Sequence, residues 1–239
     1  MTQGIVAITG GAGALGSALA AHLVAKGYRI AVLDTERSKE RVAQLVEKLG
    51  SGKAVGHTGD FAVGATWDAA LAAIKTAFGA LPTHGVLVAG GWGGGAALHA
   101  AKDDSAYEGM IKANLDTAYR ALRSLLPAMV EKKHGSIVVV GSRAVERPWT
   151  STGSAAYAAS KAAVVAMAQV AAQEVLADGV RINAILPSTM DTAANRASMP
   201  KADPSTWVSL DSASAVIAFL LSDDSRDVSG AALPVYGRA

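Results

Sequence analysis

The chain has 239 residues, 51% of them apolar and only 18% charged, enough to bury the core of one large domain. Its 22 basic and 20 acidic side chains are interspersed and leave a net charge of +2, which argues against the clustered basic footprint of a nucleic-acid binder. There is no cysteine, so disulfides and thiolate metal sites are excluded. The first apolar stretch, residues 4–24, has no basic leader and is interrupted by glycines. It therefore reads as neither signal peptide nor membrane span, and the expectation is a soluble cytoplasmic protein with no membrane or nucleic-acid partner. No repeat, low-complexity tail or Pro/Ser-rich linker divides the chain, which predicts a single domain over residues 1–239.

Short apolar runs alternate with helical patterns along the whole length. Residues 4–9 read as a buried strand and 14–25 as a helix; 29–34 as a strand and 38–49 as a helix. A short strand over 54–58 precedes a helix over 66–78, and a strand over 85–89 runs into a glycine-rich loop at 90–95. One long helix is predicted from 105 to 132, then a strand over 136–140 and a helix over 154–176. The last elements are a strand over 180–186, a helix over 212–221 and a strand over 232–235. Near-continuous Val/Ile/Leu strands alternating with helices predict an α/β fold: a doubly wound, Rossmann-type parallel sheet of about seven strands between two helical layers. Such sheets bind ligands beyond the carboxyl ends of their strands.

The first strand runs straight into Thr9-Gly10-Gly11-Ala12-Gly13-Ala14-Leu15-Gly16. Glycines permit a tight turn and close approach to a pyrophosphate, and the helix opening at Ala14 aims free N–H groups and a positive dipole end at it. Following a strand and opening a helix is the context this motif requires. Asp34 ends the second strand, where an acid meets adenosine ribose hydroxyls and repels a 2′-phosphate. This favours NAD(H), with NADP(H) possible because Arg37 stands nearby. Asp60, after the third strand, either reaches the adenine edge or caps its own turn.

Tyr157 and Lys161 lie four apart in a predicted helix, so they share one face. A phenol titrates near pH 10, and a neighbouring ammonium is expected to lower that value. A proton donor–acceptor tuned toward working pH suits carbonyl reduction or alcohol oxidation. Ser142 ends the apolar run fifteen residues upstream; Ser151 and Ser154 compete with it but do not end a strand.

Together, the turn at residues 9–16, Asp34, Asp60, Asn114, Ser142, Tyr157, Lys161 and the stretch 180–192 resemble the short-chain dehydrogenase/reductase family over essentially the full chain. The resemblance implies that Tyr157 is the general acid/base and that Ser142 holds the substrate oxygen. It implies that Lys161 binds the nicotinamide ribose and lowers the Tyr157 pKa, and that Asn114 holds a proton-relaying water. Thr192 would meet the nicotinamide carboxamide. The implied cofactor contacts are Thr9, Gly10, Ala12, Gly13, Ala14, Leu15, Gly16, Asp34, Asp60, Ala89, Gly90, Gly91, Tyr157, Lys161, Pro187, Thr189 and Thr192. No metal is implied. Pairing of the helices over 105–132 and 154–176 into a homodimer or homotetramer is implied as well.

The chain departs from the family pattern at Ala14, Val88-Ala89-Gly90-Gly91 and Ser188. Val88 to Trp92, Leu186-Pro187, Asp191-Thr192, Asn195-Arg196, Ser198-Met199-Pro200, Ala202-Asp203 and Trp207 are similar to the quinoid dihydropteridine reductase branch. That branch lacks the Ser and Asn present here at positions 142 and 114. The expected activity is NAD(H)-dependent hydride transfer to a carbonyl or secondary alcohol. The alternatives are quinoid dihydropteridine reduction on a pterin-like substrate, or a non-catalytic nucleotide sensor on the same fold.

Other constellations are weaker. The five histidines show no metal-ligand spacing, Gly50-Ser51-Gly52-Lys53 reads as a helix C-cap, and no Gly-x-Ser-x-Gly is present. Trp92 and Trp207 read either as the border of the expected pocket or as packing for their own loops, while Arg143, Arg147 and Trp149 read as surface residues of the loop after Ser142.

Overall fold

A computed structural model describes residues 3–238. Among the described residues the strands are β1 (Ile5–Thr9), β2 (Arg29–Asp34), β3 (Ala54–Thr58), β4 (His84–Leu87), β5 (Gly135–Val140), β6 (Val180–Pro187) and β7 (Ala232–Val235). The helices are α1 (Ala14–Ala25), α2 (Lys39–Leu49), α3 (Gly64–Phe78), α4 (Ser105–Met110), α5 (Thr117–Glu131), α6 (Ala155–Glu174), α7 (Ala193–Ser198) and α8 (Leu210–Leu221). The strands form one parallel sheet in the order β3-β2-β1-β4-β5-β6-β7.

Side chains alternate across each strand, so every central strand feeds two cores. Ile5, Ala7, Ala31 and Leu33 face the layer holding α3, α5 and α6, whereas Val6, Ile8, Ile30 and Val32 face α1, α2 and α8. Both faces being covered explains why these strands are apolar without interruption. Each fully buried Val, Ile or Leu contributes about 1.5–3 kcal/mol, so the sheet is held mainly by these two clusters.

Helix α6 is long and apolar enough to cross a membrane. It is instead a core helix: Val164, Val165, Ala168, Ala171 and Ala172 are buried against the sheet. Gly50 closes α2 with φ +99°, as the C-cap reading requires.

The predicted long helix over 105–132 is not uniform. Between α4 and α5, residues Ile111–Asp116 form a π-helical segment that turns Asn114 into the core. One extra residue per turn re-aims a side chain at little cost in length. Strand β4 ends at Leu87, two residues earlier than expected, because the Ala89 N–H leaves the ladder and donates to Thr9 Oγ1 at 3.1 Å. Helix α7 was not expected; Thr192 caps it by accepting from the Asn195 N–H at 3.1 Å.

Candidate active site

The strand order reverses between β1 and β4, which opens a crevice at their carboxyl ends. The turn after β1 crosses this crevice. Gly10 has φ +64°, and a Cβ at Gly16 would collide with the Gly10 carbonyl, so α1 can start only this close because side chains are missing. The result is a flat backbone surface ending at the N-terminus of α1, where the first-turn N–H groups have no helical partners. Thr9 braces the turn from below through Ala89. Ala12, Gly13, Ala14 and Leu15 form its rim and the first turn of α1.

Asp34 closes the turn from the side. Its Oδ2 accepts from the Ala12 N–H at 2.9 Å, and its Oδ1 accepts from the Thr35 N–H at 2.8 Å. The carboxylate is thus fixed at the mouth of the glycine turn with lone pairs left to accept further hydrogen bonds. Asp60 follows its capping reading. It accepts from the Ala62 N–H at 3.0 Å and pairs with Lys112 at 3.0 Å, and the hydrogen bond from Lys112 lowers its pKa first.

On the other side of the crevice, α6 carries Tyr157 and Lys161 past the end of β5. The Lys161 ammonium is buried and donates to the Val140 carbonyl at 2.9 Å. Burial lowers its pKa to about 8. Tyr157 does not show the lowering expected from Lys161. Burial raises its pKa, and the one opposing influence is the nearby Ser142 hydroxyl. The physical reason is direction: Lys161 spends its ammonium on a β5 carbonyl, so desolvation dominates at the phenol. Ser142 is buried at the end of an extended segment after β5, where its Oγ also accepts from the Ala144 N–H at 3.1 Å.

Asn114 is 1% exposed and its amide is engaged on both sides. Oδ1 accepts from the Gly91 N–H at 2.9 Å, while Nδ2 donates to the Gly91 carbonyl at 3.2 Å and to Ser160 Oγ at 2.9 Å. Ser160 in turn donates to the Tyr157 carbonyl at 2.8 Å. Sequence reasoning missed Ser160. The available signal was its place one residue before Lys161, three residues after the carbonyl it bonds. The π-segment, the Gly90–Gly91 loop and α6 therefore form one connected unit.

At the end of β6, Pro187 pairs in register with Val235, and beyond it the Thr189 carbonyl accepts from the Val208 N–H at 2.9 Å. Thr192 uses a lone pair to cap α7 and keeps its hydroxyl proton for another acceptor. Asp191 and Arg196 form a two-pronged pair at 2.6 and 2.8 Å, and Asn195 donates to the Met190 carbonyl. These residues, which resembled the dihydropteridine reductase branch, thus build the local frame of α7. Trp92 and Trp149 are exposed, at 68% and 72%, and Trp207 is half-buried.

A glycine turn on a helix N-terminus at the reversal of a parallel sheet defines a dinucleotide-binding α/β fold. Comparison with known proteins narrows this class. Residues 4–203 match the family described as short chain dehydrogenase. The 2,5-dichloro-2,5-cyclohexadiene-1,4-diol dehydrogenase LinX of Sphingobium indicum is 30% identical over 256 residues, covering 98% of this chain and 94% of that protein. A short-chain type dehydrogenase/reductase from Mycobacterium ulcerans superposes with TM-score 0.89 at 25% identity, covering 100% of this chain and 90% of that one. A 3-oxoacyl-[acyl-carrier protein] reductase from Brucella melitensis with bound NAD superposes with TM-score 0.84 at 25% identity, over 99% and 90% of the two chains. The chain belongs to the short-chain dehydrogenase/reductase family and is an oxidoreductase of that type. These matches lend no specific support to the dihydropteridine reductase branch.

Proposed function

We propose that the protein transfers hydride between NAD(H) and a carbonyl or secondary alcohol, with Tyr157 as the general acid/base. The observation that carries this reading is the convergence of Tyr157, Ser142, Lys161 and Asn114 beside a backbone cradle that admits no side chain.

The residues fit a dinucleotide. The turn at residues 10–16 and the N-terminus of α1 would hold the pyrophosphate, Asp34 the adenosine ribose, Lys161 the second ribose, and Thr192 the carboxamide. Gly90 supports the fit: its φ is +154°, and a Cβ there would fall against Asn114 Oδ1 and 3.2 Å from Lys161 Nζ. The bound nicotinamide supplies or accepts the hydride. The protein supplies position and proton transfer. Ser142 orients the substrate oxygen by donating its hydroxyl proton, and its Oγ can also accept from Tyr157. Tyr157 gives its proton to the oxygen during reduction and takes it back during oxidation. The phenol is protonated at neutral pH and so carries the proton that reduction consumes. Lys161 stands at the end of the cluster as a buried cation held by the Val140 carbonyl, where it would bind the second ribose.

NAD(H) is favoured because the Asp34 carboxylate, locked to Ala12, leaves a negative charge where a 2′-phosphate would sit. The relative with bound NAD supports a nicotinamide cofactor. Work in the cytoplasm as a homodimer or homotetramer completes the proposal. The test is a panel of carbonyls, alcohols and quinoid pterins read by NADH absorbance. Turnover of a carbonyl–alcohol pair supports the reading; cofactor binding without turnover on any of them favours a sensor.

A further inference from the structure

The C-terminal segment after β7 reaches both loops that flank the candidate site. Tyr236 donates its hydroxyl to Glu146 Oε2 at 2.6 Å. The Arg147 guanidinium lies 5.1 Å above the Tyr236 ring. Glu146 and Arg147 follow directly on the short helical turn that Ser142 caps, with the Glu146 and Arg147 N–H groups donating to the Arg143 carbonyl. On its other side, the Tyr236 carbonyl accepts from Ser188 Oγ at 2.7 Å, and the Ser188 N–H donates to the Val235 carbonyl at 3.0 Å. Two residues on, the Arg238 N–H donates to the Thr206 carbonyl at 2.9 Å. One tyrosine thus joins the loop after β5, the loop after β6 and the chain's last strand.

We propose that Tyr236 is a positioning residue, a strap that holds the Ser142 turn and the 188–207 loop at a fixed distance across the substrate cleft. The proposal rests on the reading of Ser142 as the group that orients the substrate oxygen. A hydroxyl that orients a reacting atom is useful only when its own backbone is fixed, because small misplacements cost large factors in rate. The turn after β5 is otherwise exposed from Glu146 to Thr150, so its outer half has little packing to hold it. Tyr236 compensates with three different grips: a hydrogen bond to a charged acceptor, a cation over an aromatic face, and a backbone bond to the opposite loop. Burial and the adjacent Glu146 carboxylate raise the phenol pKa, against the lowering by Arg147 and Arg143, so the hydroxyl remains a donor at all working pH.

The experiment uses Tyr236→Phe, which deletes only the hydroxyl and keeps the ring and the backbone bond from Ser188. It is read in two ways in the full-length protein. Hydrogen–deuterium exchange of residues 141–153 should accelerate by about fivefold, the effect expected for losing one such hydrogen bond, with residues 5–25 unchanged. Exchange in 141–153 equal to wild type overturns the proposal, whether or not a substrate has been found. With a substrate in hand, kcat should fall by about tenfold with the KM for NADH unchanged. Glu146→Ala should match it, Glu146→Gln should recover most of the loss by still accepting the bond, and the double variant should cost no more than either single one. A kcat within twofold of wild type in Tyr236→Phe, or simple additivity, contradicts the strap. Tyr157→Phe separates the two readings. If that variant stays active, the assignment of the site fails, and the strap is judged on exchange alone.

Discussion

Gly91 and Asn114 hold each other by two reciprocal hydrogen bonds. The Gly91 N–H donates to Asn114 Oδ1 at 2.9 Å, and Asn114 Nδ2 donates back to the Gly91 carbonyl at 3.2 Å. The pair exists because the π-segment Ile111–Asp116 turns Asn114 inward, and because Gly90 beside it carries no side chain. It fixes the glycine loop against α6 through Ser160.

Gly90→Ala should break this arrangement. The new methyl would press on Asn114 Oδ1 and approach Lys161 Nζ, and φ +154° is a conformation alanine resists. A fall in kcat/KM of about 100-fold is expected, with weakened NADH binding measured by fluorescence titration. Wild-type kinetics in this variant would show that the Asn114–Lys161 neighbourhood is slack.

In the proposed reading Asp34 sets cofactor choice. Wild type should bind NADH at least about tenfold more tightly than NADPH, a difference of about 1.4 kcal/mol. Asp34→Ala should erase the preference and weaken both, since it also frees the Ala12 N–H. Parallel titrations with the two cofactors decide it, and an NADPH preference in wild type overturns the assignment.

Ser142→Ala separates two substrate classes. Carbonyl reduction should lose about 100-fold in kcat, the usual cost of removing one donor to a developing oxyanion. Reduction of a quinoid pterin should be nearly unaffected, because the branch that performs it has no such serine. Steady-state kinetics of the variant on both substrates give the comparison.

His84 predicts an acid weakness far from the site. It is 4% exposed, stands edge-on to Tyr28 and His134, and burial lowers its pKa from 6.5 to about 4. Between those values the unfolded chain binds a proton that the folded chain refuses. Stability therefore falls as pH falls through that window, by up to about 3 kcal/mol, and is fully retained above it. Urea unfolding at neutral pH and near pH 4 should show the loss, and His84→Gln should flatten the difference. An equal loss in that variant would place the acid sensitivity elsewhere.

The sheet was legible because its strands are apolar on both faces, as Val6, Ala7 and Ile8 show in three consecutive positions. The glycine turn was legible because a missing Cβ leaves a sequence mark. The π-segment left none: no residue in 111–116 announces an extra backbone position, so Asn114 was found by resemblance and its geometry only in the structure. The Tyr157–Lys161 spacing put both on α6, yet spacing does not say what a long side chain reaches. Lys161 chose the Val140 carbonyl, and burial then raised the phenol pKa that the pair was expected to lower. Thr192 and Asp191 were visible as a pattern, while their roles in framing α7 depend on a helix too short for periodicity to reveal.

The most direct test is the turnover of Tyr157→Phe on whichever carbonyl–alcohol pair the wild type accepts. The variant keeps the ring and its burial but has no proton to give. Turnover should fall by about 1,000-fold or more, within the range for removal of a general acid, while the NADH dissociation constant stays within about twofold of wild type. Wild-type turnover in Tyr157→Phe would contradict the account at its centre.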